Sequence, residues 1–408
     1  MNKIIIKPEL VSPAGDWSSL IAAVESGADS VYFGIKTLNM RNLAANFDIM
    51  ELPKIMQYLH ENNKKGYLTL NVIVMENELS KLEKILHSAK KADIDAVILW
   101  DMAVFSLAKK IGLRIHLSTQ ASVSNKDAVA FFSKLGAKRI VLARECSLGD
   151  IKSITSHIKK KKIACEIETF IHGAMCVSIS GRCFLSEYSF GKSANRGECL
   201  QPCRREYAIS DIDQSASYIL GRDYILSPKD LCSIDFIDKL MTTGIKAFKI
   251  EGRMKSAEYV KVVTSVYRTA IDAVIGNKFS SSLKKTLRQE LMKVYNRGFS
   301  QGFFFGVPSG KISRELGHTY EKIFVGRVTK FFKKISVAQI KVTDNSIKVG
   351  DTLIFIGKNT PAREAVIAEI QREHKPRKKA TRGEEVGVKL PFFVRIDDKV
   401  FIWRKKKP

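Results

Sequence analysis

Residues 245–254, IKAFKIEGRM, form the last of eight short apolar runs that alternate with amphipathic stretches over the first 275 residues. The run before it, residues 164–173 (ACEIETFIHG), has the same character, with β-branched and aromatic residues and few breaks. Runs of this kind are typical of strands in a parallel sheet that is covered on both faces. Eight successive strand–helix units in this length predict a TIM-like (β/α)8 barrel.

The stretches between these runs have the apolar spacing of helices. Residues 16–28 (DWSSLIAAVESGA) follow the first run, with Asp16 in the place of an N-cap and Gly27 at the end. The last helix of the series is predicted over residues 256–276. A doubly wound open sheet is the competing fold, but it usually has a Gly-rich phosphate loop after an early strand, and none is evident in this sequence.

One connection is much longer than the few residues that usually join a strand to a helix. It follows the seventh run, and we place this insertion at about residues 173–245. Its composition predicts a hairpin over residues 207–226 and a helix over residues 233–244. The insertion is too rich in apolar residues and cysteine for a disordered segment, so we expect it to be functional.

The pattern changes after residue 276. Residues 277–320 read as a helical and aromatic linker, and residues 321–408 contain short strand patterns with turn signals. These strands predict a small all-β barrel as a C-terminal domain. We therefore expect a barrel domain at residues 1–276, the linker, and the C-terminal β-barrel domain.

The chain is strongly basic, with a formal net charge of +26 over 408 residues and an isoelectric point near 9.7. A lysine-rich, well-solvated surface explains part of this excess, but such a field also favours polyanions, nucleic acid above all. No apolar run approaches the roughly 18–20 residues needed to span a bilayer, and the short apolar patch near the start does not match a signal peptide. We expect a cytoplasmic protein.

Four of the seven cysteines, Cys176, Cys183, Cys199 and Cys203, lie in one 28-residue segment inside the insertion. Thiols stay reduced in the cytosol, so such a group indicates metal binding or chemistry rather than disulfides. Structural zinc favours two close cysteine pairs, and only the last two cysteines are close. A 4Fe-4S cluster accepts thiolates from scattered positions and is the sharper hypothesis. Buried free thiols are the alternative.

The remaining three cysteines fit the alternative of buried free thiols to different degrees. Cys146 and Cys165 lie at or beside predicted strands, where a free cysteine packs as a small apolar residue. Cys232 is ambiguous, because it is a fifth cysteine of the same insertion.

Residues 168–186, ETFIHGAMCVSISGRCFLS, resemble the signature of the U-32 peptidase family, also called collagenase-like proteases. The similarity extends through residues 8–34 and 248–260 and covers roughly residues 8–275. The C-terminal β segment resembles the extra domain of the tRNA-hydroxylating branch of this family. The signature positions are occupied by Glu168, Gly173, Cys176, Gly181, Cys183 and Ser186.

The resemblance implies oxygen-independent hydroxylation with a 4Fe-4S cluster, whose ligands would be the four clustered cysteines. One branch of the family makes 5-hydroxyuridine at the wobble position of tRNA and takes the hydroxyl group from prephenate. Other branches modify a cytidine of ribosomal RNA or hydroxylate ubiquinone precursors. The C-terminal domain and the basic charge favour tRNA as the partner. Four cysteine ligands leave no open iron position, which favours a structural or electron-transfer role and, for the latter, an electron-donor protein.

Polar residues at the predicted strand ends are the candidate catalytic residues, because active sites of such barrels form at the carboxyl ends of the strands. Arg144 and Arg253 can clamp a dicarboxylate such as prephenate, or can pair with Glu145, Glu168 or Glu251. His172 can act as acid or base near neutral pH, or can be a satisfied structural histidine.

The sequence leaves the roles of three further residues open. Glu168 can orient a ligand or a backbone turn. Tyr32 and Phe33 can stack a flipped pyrimidine, or can belong to the core.

Proteolysis has little support in the residues themselves. The sequence has neither an H-E-x-x-H zinc motif nor a G-x-S-x-G nucleophile turn. His172 near Cys176 mimics a Cys–His pair, but a cysteine that binds a cluster cannot serve as a nucleophile. The sequence does not predict the oligomeric state.

Overall fold

A computed structural model describes most of the chain. The described residues are 7–205, 207–210, 212–213, 217–220, 228–306 and 317–406. Two predicted features extend beyond them: residues 221–226 of the predicted hairpin and residues 307–316 of the predicted linker lie outside this set.

The described part of residues 7–306 forms twelve strands. In chain order these are β1 (Glu9–Ala14), β2 (Ser30–Gly34), β3 (Lys65–Leu70), β4 (Ala96–Leu99), β5 (Ile115–Leu117), β6 (Arg139–Val141), β7 (Glu166–Gly173), β8 (Tyr207–Ser210), β9 (Ser217–Leu220), β10 (Asp230–Cys232), β11 (Ala247–Ile250) and β12 (Phe299–Ser300).

Eight of these strands close into a barrel. Strands β1 to β7 follow one another in parallel, β11 pairs with β1, and β7 pairs with β11 to complete the circle. All eight strands are parallel to their neighbours in the barrel, so the predicted (β/α)8 barrel is confirmed. The insertion follows β7, as predicted, and the chain returns to the barrel at β11.

Helices alternate with the barrel strands, and some of them have capping residues at their ends. The described α-helices are α1 (Trp17–Glu25), α2 (Leu52–Glu61), α3 (Leu79–Lys91), α4 (Met102–Ile111), α5 (Lys126–Leu135), α6 (Leu148–Lys161), α7 (Leu185–Phe190), α8 (Ile237–Met241), α9 (Ala257–Ile275) and α10 (Ser281–Leu291). Asp16 caps α1 by accepting a hydrogen bond from the Ser19 amide at 2.7 Å. Gly112 ends α4 in the left-handed region, with φ +76°.

A buried ionic network ties five of the barrel strands together. Glu168 on β7 accepts hydrogen bonds from Lys249 Nζ on β11 (2.7 Å) and from Arg139 Nη1 on β6 (3.2 Å). Arg139 also pairs with Glu9 on β1 at 2.8 Å, and Glu9 accepts a hydrogen bond from Tyr67 Oη on β3 at 2.6 Å. Because Arg139, Glu168 and Lys249 are almost fully buried, each charge depends on its partners for compensation.

The insertion is built onto the end of β7. Strand β10 pairs antiparallel with His172 and Gly173 at that end, and β12 pairs in parallel with β10. Strands β8 and β9 form an antiparallel hairpin, as the sequence predicts. The predicted helix over residues 233–244 is shorter than expected, because it consists of a 3-10 turn at Ile234–Phe236 followed by α8.

The C-terminal region forms a separate antiparallel sheet. Its strands are β13 (Tyr320–Phe332), β14 (Val337–Val342), β15 (Ile347–Lys348), β16 (Thr352–Gly357), β17 (Thr360–Val366), β18 (Ile370–Arg372), β19 (Lys375–Arg377), β20 (Lys379–Ala380), β21 (Glu385–Lys389) and β22 (Lys399–Lys405). Eight of them form one sheet in the order β17-β16-β22-β13-β14-β21-β18-β19. This sheet has its own apolar core, which includes Val325, Ile340, Phe355 and Val400.

The eight-stranded C-terminal sheet, called the small sheet below, packs against α1 and α9 of the barrel. Lys322 Nζ on β13 lies 2.6 Å from Glu258 Oε1 on α9, and Arg363 on β17 lies 2.6 Å from Glu25 on α1. Ile354 belongs to the apolar core of the barrel rather than to that of the small sheet. Within the part of the chain that the structure covers, no helix has the length and apolar character needed to cross a membrane.

The buried network makes a stability prediction for Glu168→Gln. Removing this carboxylate charge leaves Lys249 and Arg139 less compensated inside the barrel, so we expect a loss of about 3–5 kcal/mol in the free energy of unfolding. Glu321→Gln is the matched control, because Glu321 pairs with Arg404 on the surface at 2.7 Å and should cost less than about 1 kcal/mol. Urea unfolding of both variants measures the difference; equal losses would contradict the role given to the network.

Candidate functional site

A cavity of about 490 Å³ lies at the carboxyl ends of the barrel strands. Its floor is formed by side chains from six strands: Tyr32, Thr69, Ile98, Val141, Phe170 and Lys249. The first part of the insertion, residues 174–204, covers it, and Tyr295, Arg297 and Phe303 close one side. The cavity is therefore a joint product of the barrel and its oversized loop, at the end where such barrels carry their active sites.

The four clustered cysteines all line this cavity, and none forms a disulfide. Burial raises the pKa of Cys203, Arg204 opposes the increase, and the negative charges of Cys176, Cys199 and Cys183 add to it. The four cysteines are therefore reduced and share one cavity.

Backbone amides are aimed at three of these sulfurs. Cys176 Sγ accepts a hydrogen bond from the Ser178 amide, and Cys183 Sγ accepts one from the Leu185 amide, each at 3.4 Å. Cys199 Sγ has the same contact with the Gln201 amide at 3.4 Å. Donors placed two residues after a thiol stabilise its thiolate form, which is the form that binds metal.

The loop that carries the cysteines is anchored to the barrel by arginines. Arg196 pairs with Glu78, with Nη1 2.8 Å from Oε2, and the Arg182 guanidinium lies 4.8 Å from the centre of the Trp100 ring. Gly197 has φ +84°, and a Cβ there would lie 2.1 Å from the Asn39 carbonyl oxygen. These contacts fix a loop that has little regular structure of its own.

The other three cysteines lie away from the cavity. Cys232 is buried 3.8 Å from Tyr267 Oη, and burial raises its pKa to about 11. Burial also raises the pKa values of Cys146 and Cys165 to about 12. The structure thus separates Cys232 from the four cavity cysteines, a distinction that the sequence leaves open.

The cysteines do not converge on one point. In the described ranges, no three His, Cys, Asp or Glu side chains form a set that can hold a single metal ion. An iron–sulfur cluster does not need its ligands to meet at one metal ion, because each thiolate binds a different iron and the four sulfurs surround the whole cluster. The four thiols around a shared cavity, with amide donors on three of them, fit a polynuclear centre better than a mononuclear zinc site.

Positive side chains outnumber carboxylates around the cavity. The lining cations are Arg41, Arg144, Arg204, Lys249, Arg253, Lys255 and Arg297, and the lining carboxylates are Glu145 and Glu251. Glu251 is shared by Arg41 at 3.2 Å and Arg144 at 3.3 Å. Burial opposes the charge on Glu251, but Arg41, Arg144 and Arg253 hold its pKa below the usual range.

Arg253 and Lys255 have polar or aromatic contacts in place of a carboxylate partner. Arg253 Nη1 donates to Thr69 Oγ1 at 2.6 Å and to Asn39 Oδ1 at 3.0 Å, and burial lowers its pKa to about 10. Lys255 Nζ lies 3.9 Å from the centre of the Tyr295 ring, and burial lowers its pKa to about 8. Among the described residues neither takes part in an ion pair. The cavity therefore has uncompensated positive charge that an anionic ligand would neutralise.

The four predicted catalytic residues separate into two pairs. Arg144 and Arg253 line the cavity together with the cysteines, and Arg144 forms the ion pair with Glu251 that the sequence offers as one alternative. Glu168 is absent from the lining and is held inside the barrel by Lys249 and Arg139. His172 is also absent, so neither of these two side chains contributes to the cavity surface.

His172 is packed as a neutral, buried histidine. Its Nδ1 lies 3.3 Å from Tyr267 Oη, and its ring lies 5.6 Å from that of Phe299. Burial lowers its pKa to about 4, so it is uncharged at neutral pH. The register of β7 against β11 shifts between Lys249 and Ile250, and this bulge turns His172 away from the cavity that Phe170 faces.

Sequence reasoning missed Arg41, Lys255 and Tyr295. Arg41 lies in the loop between β2 and α2, and Tyr295 follows α10, so neither is close to a predicted strand end. Lys255 does carry a usable signal, because it stands four residues after Glu251 in the segment that follows the eighth strand.

Comparison with known proteins identifies the family. Residues 15–314, most of the chain, match the model of peptidase family U32. The chain belongs to this family. An uncharacterized protease of Methanocaldococcus jannaschii is 45% identical over 98% of this chain and 100% of that protein.

Two further U32 relatives carry names of different chemistry. A collagenase of Porphyromonas gingivalis is 36% identical over 98% of both chains. The tRNA hydroxylation protein P1 of Bacillus subtilis is 36% identical over 86% of this chain and 84% of that protein. Membership of the U32 family therefore leaves peptide hydrolysis and RNA hydroxylation to be decided by the site.

Gly173, where β7 enters the insertion, makes a second stability prediction. It has φ +106°, and a Cβ there would lie 2.5 Å from the Glu251 carbonyl oxygen. We expect Gly173→Ala to lower the free energy of unfolding by about 2–3 kcal/mol beyond the effect of backbone strain alone. The reason is that the added methyl group must displace the backbone at Glu251. Gly112→Ala is the control, since Gly112 also has positive φ but faces open space. Equal losses on urea unfolding would contradict the close contact.

Proposed function

We propose that this chain hydroxylates tRNA, forming 5-hydroxyuridine at the wobble position with prephenate as the hydroxyl donor and a 4Fe-4S cluster as cofactor. The observation that carries the proposal is the single cavity in which four thiols and an excess of cations meet at the active end of a barrel. The name of the Bacillus subtilis relative supports RNA hydroxylation as the reaction class.

Cys176, Cys183, Cys199 and Cys203 would hold the cluster. Three of their sulfurs accept backbone N–H bonds, and Cys203 lines the same cavity as the other three. A bound cluster supplies one-electron chemistry. The chain itself positions the thiols through the Arg196–Glu78 pair and the close approach of Gly197 to Asn39.

The cations of the cavity suit a small dianion. Prephenate carries two carboxylates, and Arg253 and Lys255 form no ion pair with any described residue. Arg144 is already engaged, because Nη2 pairs with Glu251 at 3.3 Å, Nη1 donates to the Ala174 carbonyl at 2.5 Å, and the guanidinium lies 4.1 Å from the centre of the Phe170 ring. Guanidinium groups bind carboxylates in a bidentate manner, so these residues favour a carboxylate ligand over a neutral one.

A uridine must leave its stack before its base can react. Tyr295 offers an aromatic face at the side of the cavity, and Lys255 lies against that ring. Tyr32 is buried in the floor, where its hydroxyl donates to the Ile250 carbonyl at 2.9 Å. Tyr295 also has the His318 ring 5.5 Å away but is 41% exposed, so it is the better candidate to stack a flipped base, and the net charge of +26 favours the phosphates around it.

The geometry gives peptide hydrolysis no comparable support. No histidine lines the cavity that the described residues form, and His172 contacts Tyr267 rather than Cys176. A neutral histidine with a pKa of about 4 is also a poor general base for a thiol.

Nucleosides of a deletion strain test the function. We expect 5-hydroxyuridine and its derivatives to disappear from tRNA when the gene is removed, and to return when the natural protein is supplied. A strain that supplies Cys176→Ser should fail to restore them, because one cluster ligand is missing. Mass spectrometry of digested tRNA gives the measurement.

Cys232→Ala is the matched control for the cysteine variant, since Cys232 is buried outside the cavity. It should restore the nucleosides and purify with unchanged iron per chain, whereas Cys176→Ser should lose iron. Unchanged tRNA nucleosides in the deletion strain, with paralogues also removed, would rule out the proposed reaction.

Lys255 gives the anion site a pH dependence. Its pKa is lowered to about 8 from an ordinary value of 10.5, so the positive charge is present at pH 7 and is lost as the pH rises through 8. Prephenate affinity should therefore fall with increasing pH above 8. Lys255→Met should weaken binding about tenfold at pH 7 and flatten this profile, whereas Lys255→Arg should keep the affinity and flatten it as well. Calorimetry at pH 7–9 checks both; a profile unchanged in Lys255→Met would contradict the assignment.

A further inference from the structure

A second cavity, of about 430 Å³, lies in the C-terminal domain at the end of β13, and it shares no lining residue with the barrel cavity. We call it the aromatic groove; it is lined by Phe331, Lys333, Ser336, Pro391, Phe392 and Phe393. One wall is the turn from β13 into β14, and the other is the segment before β22. The walls are joined by a hydrogen bond from the Leu390 amide to the Ser336 carbonyl at 2.8 Å.

The rings of the groove have different environments. Phe392 is anchored in the core, where its ring lies 5.9 Å from that of the fully buried Phe355. Phe393 points outward and is 45% exposed, and its ring meets that of Phe331 edge-on at 5.1 Å. Phe332, next along β13, is 38% exposed. The C-terminal domain thus presents aromatic side chains to solvent, which marks an interaction site more than a packing site.

Each exposed ring has a cation beside it. Lys333 Nζ lies 5.5 Å and the Arg395 guanidinium 5.2 Å from the centre of the Phe393 ring, and Lys330 Nζ lies 4.9 Å from that of Phe332. No ion pair between described residues involves these three cations. Arg395 is held in place by donating to the Asn359 carbonyl at 2.8 Å, so its charge stays available to a ligand.

The charge of the whole domain favours one class of partner. Residues 317–406 contain 21 Lys and Arg and 10 Asp and Glu, so the groove lies in a strongly positive surface. Aromatic faces with adjacent, uncompensated cations are the combination that binds unpaired nucleotides, because bases stack on the rings while phosphates pair with the cations. A proline-rich peptide would use the rings but would leave the cations without partners.

We propose that the aromatic groove binds an unpaired nucleotide of the RNA substrate, with the base on Phe393 and the flanking phosphates on Lys333 and Arg395. This inference rests on the proposed function, because it takes RNA as the substrate of the barrel. It adds a second RNA site, separate from the reacting base, and assigns it to named residues.

The placement of the groove makes it suitable for a folded RNA. Strand β13 begins beside the barrel, where Lys322 pairs with Glu258, and that glutamate is three residues after Lys255 of the cavity. Phe331 lies near the other end of this strand, and no residue that lines the groove also lines the barrel cavity. The groove therefore contacts a different part of the RNA from the cavity, and two linked weak contacts bind more tightly than either alone.

Binding of unmodified tRNA by the full-length protein, measured at several salt concentrations, tests the groove. Phe393→Ala should weaken binding about 5- to 100-fold without changing its salt dependence, because a stacked base is lost and no charge is removed. Lys333→Gln should reduce the slope of log K against log salt by about 0.7–0.9, because one phosphate contact is lost. Lys348→Gln, which removes one charge outside the groove, should do neither.

Thermal unfolding of each variant shows that the domain is intact, so a loss of binding cannot be assigned to misfolding. If Phe393→Ala and Lys333→Gln bind tRNA as the natural protein does, the groove proposal is overturned, whether or not the protein hydroxylates tRNA. If the natural protein binds tRNA through the groove but produces no hydroxylated nucleoside, the proposed reaction fails and the binding site stands.

Discussion

The end of β7 is the constraint on which the rest of the molecule depends. This strand closes the barrel by pairing in parallel with β11, and its last two residues pair antiparallel with β10 of the insertion. Gly173 brings that end against the backbone of Glu251, the carboxylate that Arg41 and Arg144 share. The same strand end therefore contacts both the start of the cysteine loop and the centre of the cation cluster, so it links the closed barrel to the site.

Charge balance explains why the same architecture is suited to anions. Inside the barrel, Glu168 compensates Lys249 and Arg139, and the network is nearly neutral. At the mouth, one shared carboxylate faces several cations, and on the C-terminal domain the groove cations have no carboxylate partners among the described residues. Uncompensated positive charge is thus present on two surfaces that ligands can reach. A small dianion and the phosphates of an RNA would satisfy these two surfaces separately.

Local sequence patterns predicted the barrel, the site of the insertion and the grouping of four cysteines. These features can be recognised within short segments, from the apolar periodicity of a strand and from the types of residue present. The side-chain directions on β7 were beyond such patterns. Glu168 lies too early on the strand to reach the mouth, and a bulge opposite Lys249 and Ile250 turns His172 outward. Arg41 and Tyr295 reach the cavity from loops distant in sequence, so only the tertiary fold brings them to it. The same holds for Cys232, which shares the insertion with the four cavity cysteines and lies apart from them.

We propose that the four thiols around one cavity hold an iron–sulfur centre. The iron K-edge X-ray absorption spectrum of the anaerobically purified protein addresses it most directly, because it reports the atoms that surround each iron. We expect a first shell of sulfur alone and a second shell of neighbouring iron, as a polynuclear cluster requires. Iron surrounded by oxygen and nitrogen, or a protein that contains zinc in place of iron, would contradict the account.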